Sequence, residues 1–372
     1  MRIFIDAVPL LVRSAGVKNY LFHWIVHLRR LLGHDQVRLF PYLDRLPELD
    51  HEGSIEDPPG TLARHALLFA LNLSPSHPWS NPAVDCMAPA DIFHATKLLH
   101  PPRRPRLTAT LHDMTCWLLP EFHQPANISA EKRFAEYIWK RADGLIAVSE
   151  NTRRDAVQCL GLNPETIRVI YPGVAEPYFQ ADSGAAARSK YGLRRPYGLY
   201  VGTIEPRKNL ERLLDAWRDL SASVRQEFDL VLAGPEGWKS AETLARLRSP
   251  ATGVRYLGYV PESDLPGLTA GATAFVYPSL YEGFGFPVAQ AMAAGVPVIT
   301  SNLSSLPEVA GGAAVLIDPR STNELRDALY LLLTSPSKRT QMADAGKIEA
   351  QRFRWETCAR LSCRFLEEIL GL

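Results

Sequence analysis

Arg207 and Lys208 are adjacent cations in the segment VGTIEPRKNL, residues 201–210. A strand is predicted to end just before them, and a helix is predicted to begin at Asn209. Two fixed cations at the start of a helix suit a diphosphate, because arginine offers a planar fork and lysine a point charge. The alternative is a solvated basic pair, the commoner state of such a dipeptide. The position at a strand-to-helix turn favours the diphosphate site.

Glu282 opens a second candidate segment, EGFGFP, which covers residues 282–287 and also lies between a predicted strand and a predicted helix. Its carboxylate can accept hydrogen bonds from the vicinal hydroxyls of a sugar. Gly283 and Gly285 flank Phe284, and glycines let backbone N–H groups approach a ligand closely. A Gly-x-Gly turn alone is most often structural. Cations for a diphosphate and a carboxylate for a sugar, in one half of the chain, together indicate a nucleotide-sugar site.

His112 follows a predicted strand over residues 107–111, at the end where ligands of parallel sheets bind. There it would hydrogen-bond a reacting sugar; the alternative is a structural histidine beside a capping Asp113. Gly16 lies in the first strand-to-helix loop, where backbone amides can approach a phosphate. That loop matches neither the GxGxxG fingerprint nor the GxxxxGK[ST] pattern. The other histidines lack metal-ligand spacing, so the sequence predicts no metal site.

Strands and helices alternate along the whole chain, which indicates parallel sheets covered by helices. Strands are predicted over residues 2–6, 37–43, 91–94, 107–111, 145–148, 167–170, 197–202, 228–233, 254–257, 274–276, 298–300 and 314–317. Helices are predicted over residues 18–32, 61–71, 134–141, 151–160, 209–220, 241–247, 262–270, 288–294, 322–333, 337–353 and 356–370. Residues 175–196 are predicted to be a linker. The result is two doubly wound α/β domains, with a cleft between them as the expected ligand site.

Composition limits the function classes. The 372 residues suffice for two or three domains, and 41 basic against 40 acidic residues leave a net charge of +1. A protein that binds nucleic acid through electrostatics needs an excess of basic residues, so this balance argues against nucleic-acid binding as the first interpretation. Five cysteines without a CxxC pair indicate reduced thiols rather than a disulfide framework or a zinc site. No signal peptide or run of about 18 apolar residues is present, so the sequence predicts a cytoplasmic protein.

Nearly the whole chain resembles the GT-B retaining glycosyltransferases of family 4, also called glycosyl transferases group 1. The resemblance rests on VGTIEPRKNL at 201–210 and on EGFGFP at 282–287 followed by AGVPVI at 294–299. Shorter matches are IDA at 5–7, Gly16 with Val17, LHD at 111–113, AVSE at 147–150 and IYPGV at 170–174. The segment VGTIEPRKNL looks most like that of bacterial mannosyltransferases that build surface polysaccharide.

The resemblance implies a role for each matching residue. Arg207 and Lys208 would hold the donor diphosphate, with Gly16 near it on the N-terminal side. Glu282 would bind the donor sugar, His112 would lie near C6 of that sugar, and backbone contacts would come from the segment after Glu282. The remaining implied donor contacts are Gly283, Phe284, Gly285, Phe286, Tyr259 and Val260.

One position departs from the family pattern. The family has a second glutamate eight residues after the first, where it binds the ribose diol, and this chain has Gln290. Glutamine can hydrogen-bond a diol but without a charge. The departure puts nucleotide affinity or nucleotide choice in question and leaves the fold untouched.

The resemblance also implies a domain plan and a reaction. Residues 1–175 would form the acceptor-side domain and residues 176–355 the nucleotide-sugar domain, with the helix 356–372 packing back on the first. The protein would move a hexose, mannose being favoured, from GDP-mannose, or from a UDP- or dTDP-sugar, to a glycan or lipid-linked acceptor, with no cofactor. Alternatives are a non-catalytic partner subunit, a phosphorylase or an epimerase.

The helix predicted over residues 18–32 is both aromatic and basic, a composition that is relevant to membrane contact. Such a helix can contact a membrane that carries a lipid-linked acceptor. Its apolar face equally fits a buried core, and that is the favoured interpretation. The sequence therefore predicts a cytoplasmic protein with peripheral contact at the inner face of the membrane as the minority view.

Overall fold

The structure is a computed structural model that describes residues 1–12, 16–41, 46, 49, 54, 60–64, 66, 90–248 and 253–372. The chain forms two compact units. Unit 1 comprises residues 1–173 together with 354–372, and unit 2 comprises residues 174–353. Each unit is built on one six-stranded sheet.

The sheet of unit 1 is parallel throughout its described strands and runs in the order β2-β1-β3-β4-β5-β6. Its strands are short and almost wholly buried, as expected for a parallel sheet covered on both faces. They are β1 (Ile3–Asp6), β2 (Val37–Phe40), β3 (Ile92–Ala95), β4 (Arg106–Leu111), β5 (Gly144–Ala147) and β6 (Ile167–Val169).

The helices of unit 1 cover this sheet. They are α1 (Gly16–Leu32), α2 (Thr115–Leu118), α3 (Pro125–Tyr137), α4 (Glu150–Leu160) and α15 (Trp355–Leu370), with 3-10 turns at Val8–Leu11, His34–Gln36, Pro120–Phe122, Trp139–Arg141 and Pro164–Thr166. Ser149 caps α4 as predicted, since its hydroxyl accepts a hydrogen bond from the backbone N–H of Thr152. Residues 60–64 and 66 are also helical; the rest of the predicted helix 61–71 lies outside the described residues.

Helix α15 packs against α1 and joins the core of unit 1. The indole Nε1 of Trp24 donates to Ser362 Oγ across 2.9 Å. The rings of Tyr20 and Trp355 meet edge to face at 5.8 Å between centroids. Tyr20 and Trp24 of α1 are therefore core residues, whereas Phe22 is partly buried.

The sheet of unit 2 is also parallel, in the order β12-β11-β10-β7-β8-β9. Its strands are β7 (Tyr197–Val201), β8 (Asp229–Ala233), β9 (Val254–Tyr256), β10 (Ala274–Tyr277), β11 (Val298–Ser301) and β12 (Ala314–Ile317). The chain begins in the middle at β7, moves outward through β8 to β9, then returns to β10 on the other side of β7. The reversal between β7 and β10 is the topological switch point, where ligands of open α/β sheets bind.

The helices of unit 2 flank that sheet. They are α5 (Glu176–Phe179), α6 (Ala185–Lys190), α7 (Leu210–Arg218), α8 (Ala222–Glu227), α9 (Ala241–Arg248), α10 (Leu265–Ala270), α11 (Phe286–Ala293), α12 (Leu306–Ala310), α13 (Thr322–Thr334) and α14 (Pro336–Ala350), with a 3-10 turn at Pro206–Lys208. Among the described parts of both units, no helix combines the length and the apolar composition that crossing a membrane requires.

The prediction of a linker over residues 175–196 is wrong. The segment holds two short helices, α5 and α6, and both pack on α10. Tyr178 of α5 is buried, and alanine at positions 185–187 is the best helix former. The Ala/Ser/Gly composition resembled a linker, but burial against a distant helix gives the segment regular structure.

Candidate functional site

A short irregular turn at the switch point presents the two predicted cations. Strand β7 ends at Val201, the 3-10 turn Pro206–Lys208 follows, and α7 begins at Leu210. Between them Asn209 adopts the left-handed conformation, with φ of 61°. Its side-chain amide donates to the carbonyls of Pro278 at 3.1 Å and Pro319 at 2.7 Å. These two bonds tie the cation turn to the loop after β10 and to the segment after β12.

Glycine N–H groups bond the loop after β7 to the end of β8, and the loop after β8 to the segment after β9. The Gly202 N–H donates to the Ala233 carbonyl at 2.9 Å, and the Gly234 N–H donates to the Gly258 carbonyl at 2.8 Å. A Cβ on Gly234 would overlap the Gly202 carbonyl, and its φ of +149° also disfavours other residues. The backbone that leads to the two cations is therefore held in place by contacts with the end of the neighbouring strand β8.

Glu282 lies at the centre of the site and is bound by both cations. Lys208 Nζ lies 2.6 Å from its Oε1, and Arg207 Nη1 lies 2.9 Å from its Oε2. The hydroxyls of Ser279 at 2.6 Å and Tyr277 at 3.1 Å also donate to Oε1. Burial alone would raise the pKa of Glu282, but Arg207 and Lys208 lower it to about 2. Glu282 is therefore a carboxylate at neutral pH.

Glu205 completes the cluster, and sequence reasoning gave it no role. Its Oε1 accepts from Arg207 Nη2 at 2.6 Å and lies 3.8 Å from Lys208 Nζ. Only 4% of Glu205 is exposed. The two carboxylates and two cations sum to zero charge, which is the state in which a buried cluster costs least. The sequence feature that could have identified Glu205 is its position in the same turn, two residues before Arg207.

The segment after Glu282 is held by two serines. Ser305 Oγ donates to the carbonyls of Glu282 at 2.9 Å and Phe284 at 2.8 Å. The Glu282 N–H donates to Ser304 Oγ at 2.9 Å. Phe284 is buried and meets Phe353 edge to face, at 5.3 Å between centroids. The glycine turn is thus anchored through its carbonyls and its phenylalanine.

The remaining predicted donor contacts of unit 2 line the same edge of the sheet. Gly285 precedes α11, Phe286 is its first residue, and Gln290 lies partly buried on that helix. Tyr259 and Val260 follow β9; Tyr259 is 38% exposed and Val260 is buried. Of the predicted residues, Arg207 and Lys208 are in direct contact with Glu282.

His112 and Gly16 belong to unit 1. His112 directly follows β4, and its ring meets Tyr20 edge to face at 5.0 Å between centroids. Burial lowers the pKa of His112 to about 4, with Asp113 opposing and Lys97 reinforcing that shift. The imidazole is therefore neutral at physiological pH and can both donate and accept a hydrogen bond. Gly16 is the first residue of α1, and a Cβ built on it would meet no atom of the described residues within 4 Å.

No group of three or more His, Cys, Asp or Glu side chains within the described ranges is arranged to hold a metal ion. The site chemistry on this edge of unit 2 is that of fixed charges and hydroxyls. Arginine and lysine can pair with an anionic group, and a carboxylate can accept hydrogen bonds from hydroxyls.

Sequence relatives of the chain are glycosyltransferases. A family model for "Glycosyl transferases group 1" matches residues 186–349, and one for "Glycosyltransferase Family 4" matches residues 14–176. O-antigen chain mannosyltransferase B of Escherichia coli is 30% identical over 376 residues, which covers 96% of this chain and 97% of that protein. Serotype-specific mannosyltransferase WbdA of Escherichia coli is 28% identical over 246 residues, 64% of this chain but only 30% of WbdA.

Solved structures share the fold at low identity. Sucrose-phosphate synthase from Thermosynechococcus elongatus superposes with a TM-score of 0.75 at 19% identity and covers 100% of both chains. Anabaena HepE in complex with UDP gives a TM-score of 0.72 at 20% identity and covers 99% of this chain and 100% of HepE.

Two doubly wound parallel sheets, shared with these structures, define the GT-B fold class, and the predicted α/β fold of that class is confirmed. The predicted family is confirmed as well. The chain belongs to the glycosyl transferases group 1 and is a hexosyltransferase.

Proposed function

We propose that the protein transfers a mannosyl residue from GDP-mannose to a hydroxyl of a glycan or lipid-linked saccharide, with retention, during surface polysaccharide synthesis. The observation that carries the proposal is the buried cluster of Arg207, Lys208 and Glu282 at the switch point. The choice of mannose and of polysaccharide follows the E. coli relative, which is an O-antigen chain mannosyltransferase.

In the proposed reaction the donor diphosphate displaces Glu282 from the two cations. Arg207 Nη1 and Lys208 Nζ each contact Glu282 through a single oxygen. A diphosphate offers several charged oxygens in exchange. Glu282 is then released to accept hydrogen bonds from the donor sugar. The two cations stabilise the charge that develops on the departing diphosphate, the largest electrostatic demand of the step.

Retention follows if the acceptor attacks from the face that the diphosphate leaves. In the proposed mechanism a phosphate oxygen of the leaving group takes the acceptor proton, so no enzymatic nucleophile is needed. His112, neutral at physiological pH, would hydrogen-bond the donor sugar near C6. Gly16 would let a backbone amide approach the phosphates.

Product analysis tests the function directly. Purified protein is incubated with GDP-mannose, UDP-glucose or dTDP-glucose and a mannoside acceptor, and the new linkage is read by NMR. The proposal expects an α-linked mannoside from GDP-mannose. Lys208→Ala should abolish transfer without unfolding the protein. Lys347→Ala, an exposed lysine on α14 of the same unit, is the matched control and should keep full activity. A β-linked product would contradict retention, and active Lys208→Ala would contradict the site.

Gln290 tests the nucleotide end of the donor. If Gln290 meets the ribose diol, Gln290→Glu supplies the missing charge and should tighten GDP binding by calorimetry, by about 1 kcal/mol. An unchanged affinity would show that the ribose lies elsewhere.

The proposed location is cytoplasmic, with peripheral contact at the inner face of the membrane where a lipid-linked acceptor resides. Because Tyr20 and Trp24 of α1 are buried, contact through that helix would use its outward residues such as Leu31, which is 52% exposed. Co-sedimentation with anionic liposomes at low salt tests the proposal. A protein that stays in the supernatant contradicts it.

A further inference from the structure

The hydroxyl of Tyr277 lies between Lys208 and Glu282 and is bonded to both. Tyr277 is the last residue of β10 and is only 2% exposed. Its Oη accepts from Lys208 Nζ at 2.8 Å and donates to Glu282 Oε1 at 3.1 Å. An ammonium group can only donate hydrogen bonds, and a carboxylate can only accept them. The phenol therefore has one orientation here, with its proton directed at Glu282 and its oxygen facing Lys208.

The ring of Tyr277 is fixed by its surroundings. It stacks on Tyr200 of the adjacent strand β7 at 5.8 Å between centroids, and on Phe275 of its own strand at 6.3 Å. The hydroxyl of Thr300 on β11 donates to the Tyr277 carbonyl at 2.9 Å. Burial raises the pKa of Tyr277 well above its ordinary value of 10, so the hydroxyl keeps its proton at physiological pH. The phenol oxygen is therefore a fixed, neutral point beside two charged side chains.

Lys208 needs such a fixed point once the donor is bound. In the proposed function the diphosphate displaces Glu282 from Lys208, so the 2.6 Å contact that orients the ammonium is broken. Glu205 Oε1 lies 3.8 Å from Lys208 Nζ, too far for a hydrogen bond. The bond to Tyr277 Oη does not involve Glu282 and can stay. A lysine ammonium has three donors, so two remain for phosphate oxygens while the third stays on the phenol.

Glu282 depends on the same hydroxyl when the cations leave it. Its Oε1 accepts from Tyr277 at 3.1 Å and from Ser279 Oγ at 2.6 Å. Both donors are neutral, so a diphosphate does not compete for them as it does for Arg207 and Lys208. They keep Oε1 in place after the cations have turned to the diphosphate. The other oxygen, Oε2, which Arg207 holds at 2.9 Å, then becomes available to a sugar hydroxyl.

We propose that Tyr277 is a positioning residue that holds Lys208 and Glu282 in place relative to each other while the donor diphosphate replaces Glu282 on the two cations. This inference rests on the proposed function, because it concerns the step in which the diphosphate enters. Tyr277 acts through Lys208 and Glu282 rather than on the donor itself. Without the hydroxyl, the ammonium loses the acceptor that orients it toward the diphosphate.

Tyr277→Phe tests the inference, with Tyr200→Phe as its matched control. Each change removes one hydroxyl and keeps the ring, so the stack of the two residues is preserved. The Tyr200 hydroxyl donates to the Thr203 carbonyl at 3.2 Å instead of to the charged pair. Calorimetry with inorganic pyrophosphate measures the effect. Tyr277→Phe should weaken pyrophosphate binding by about tenfold, as expected for one lost hydrogen bond to a charged group, and Tyr200→Phe should leave it unchanged.

Two further readouts separate positioning from a loss of folded protein. A smaller folded fraction lowers the apparent kcat but leaves KM as it was. Tyr277→Phe should instead raise the KM for GDP-mannose about tenfold and leave the KM for the mannoside acceptor unchanged. In a double-mutant cycle, Tyr277→Phe should no longer weaken pyrophosphate binding once Lys208→Ala is present. In the Arg207→Ala background the tenfold loss should persist.

The outcomes separate the inference from the function on which it rests. If Tyr277→Phe binds pyrophosphate like the wild type, or if Tyr200→Phe loses as much affinity, the inference is wrong and the proposed function stands. The same holds if the loss persists in the absence of Lys208. If the wild-type protein binds neither pyrophosphate nor GDP-mannose, the proposed function falls and the role of Tyr277 falls with it.

Discussion

Replacing Glu282 by glutamine removes the carboxylate that both site cations bind. The ordinary pKa of this group is 4.5, and the folded protein lowers it to about 2, a difference that corresponds to about 3 kcal/mol. Glu282→Gln should therefore lower the free energy of unfolding at pH 7 by about 3 kcal/mol, within the range for breaking a buried ion pair. Arg207 and Lys208 would then keep Glu205 as their shared carboxylate.

The pH dependence gives the sign of the effect. Because the pKa of Glu282 is lower in the folded than in the unfolded chain, its stabilisation is fully present above about pH 4.5. It is lost as the pH falls toward about 2. The wild-type protein should lose this component on acidification, and Glu282→Gln should lack it. Unfolding by urea at pH 7 and at about pH 3 measures both.

Glu211→Gln is the matched control. Glu211 is paired with Arg246 on the same unit, but its side chain is 40% exposed. Exposed pairs contribute up to about 1 kcal/mol, so this variant should lose little at either pH. Equal losses in Glu282→Gln and Glu211→Gln, or an unaltered acid response in Glu282→Gln, would refute the reasoning that burial makes the cluster strong.

Three further changes probe how the site is positioned. Asn209→Ala removes two hydrogen bonds and leaves a left-handed residue without them, so it should cost about 2 kcal/mol by urea unfolding; Asn209→Gly should cost less. Gly234→Ala should destabilise by more than about 2 kcal/mol, because its Cβ meets the Gly202 carbonyl, whereas Gly33→Ala, with open space around it, should cost only about 1 kcal/mol of backbone strain. His112→Ala should lower the kcat of transfer and leave GDP binding, measured by calorimetry, unchanged.

Much of the fold follows from local pattern. A buried parallel strand reads as a short apolar run, and so the predicted and observed strands agree to within a few residues, as at Phe228–Ala233 against Asp229–Ala233. Ser149 marked the start of α4 because its side chain accepts the bond that caps the helix. The linker prediction for residues 175–196 is wrong because the two helices there depend on packing against α10. The amino-acid composition of a segment does not reveal such a contact.

The site shows the same division. Arg207 and Lys208 lie far from Glu282 in the sequence, but their residue types already indicate a site for a charged ligand. The order of strands in the sheet brings the three side chains into contact. The roles of Glu205 and Ser279 were missed, because the choice of partner for a charged group is a tertiary property. A cation pair in a turn does not reveal which carboxylate will neutralise it.

The division of unit 1 into two chain segments has a consequence for biosynthesis. The chain enters unit 2 at Val174 and leaves it at Phe353, where the Val174 N–H donates to the Phe353 carbonyl at 3.0 Å. On the ribosome, all residues of unit 2 are therefore synthesised before residues 354–372. Helix α1 lacks its packing partner α15 until those last residues have been made. A nascent chain that stalls before Ser362 leaves Trp24 without its hydrogen-bond partner, so residues 1–173 of unit 1 stay incompletely packed until the last helix of the unit is made.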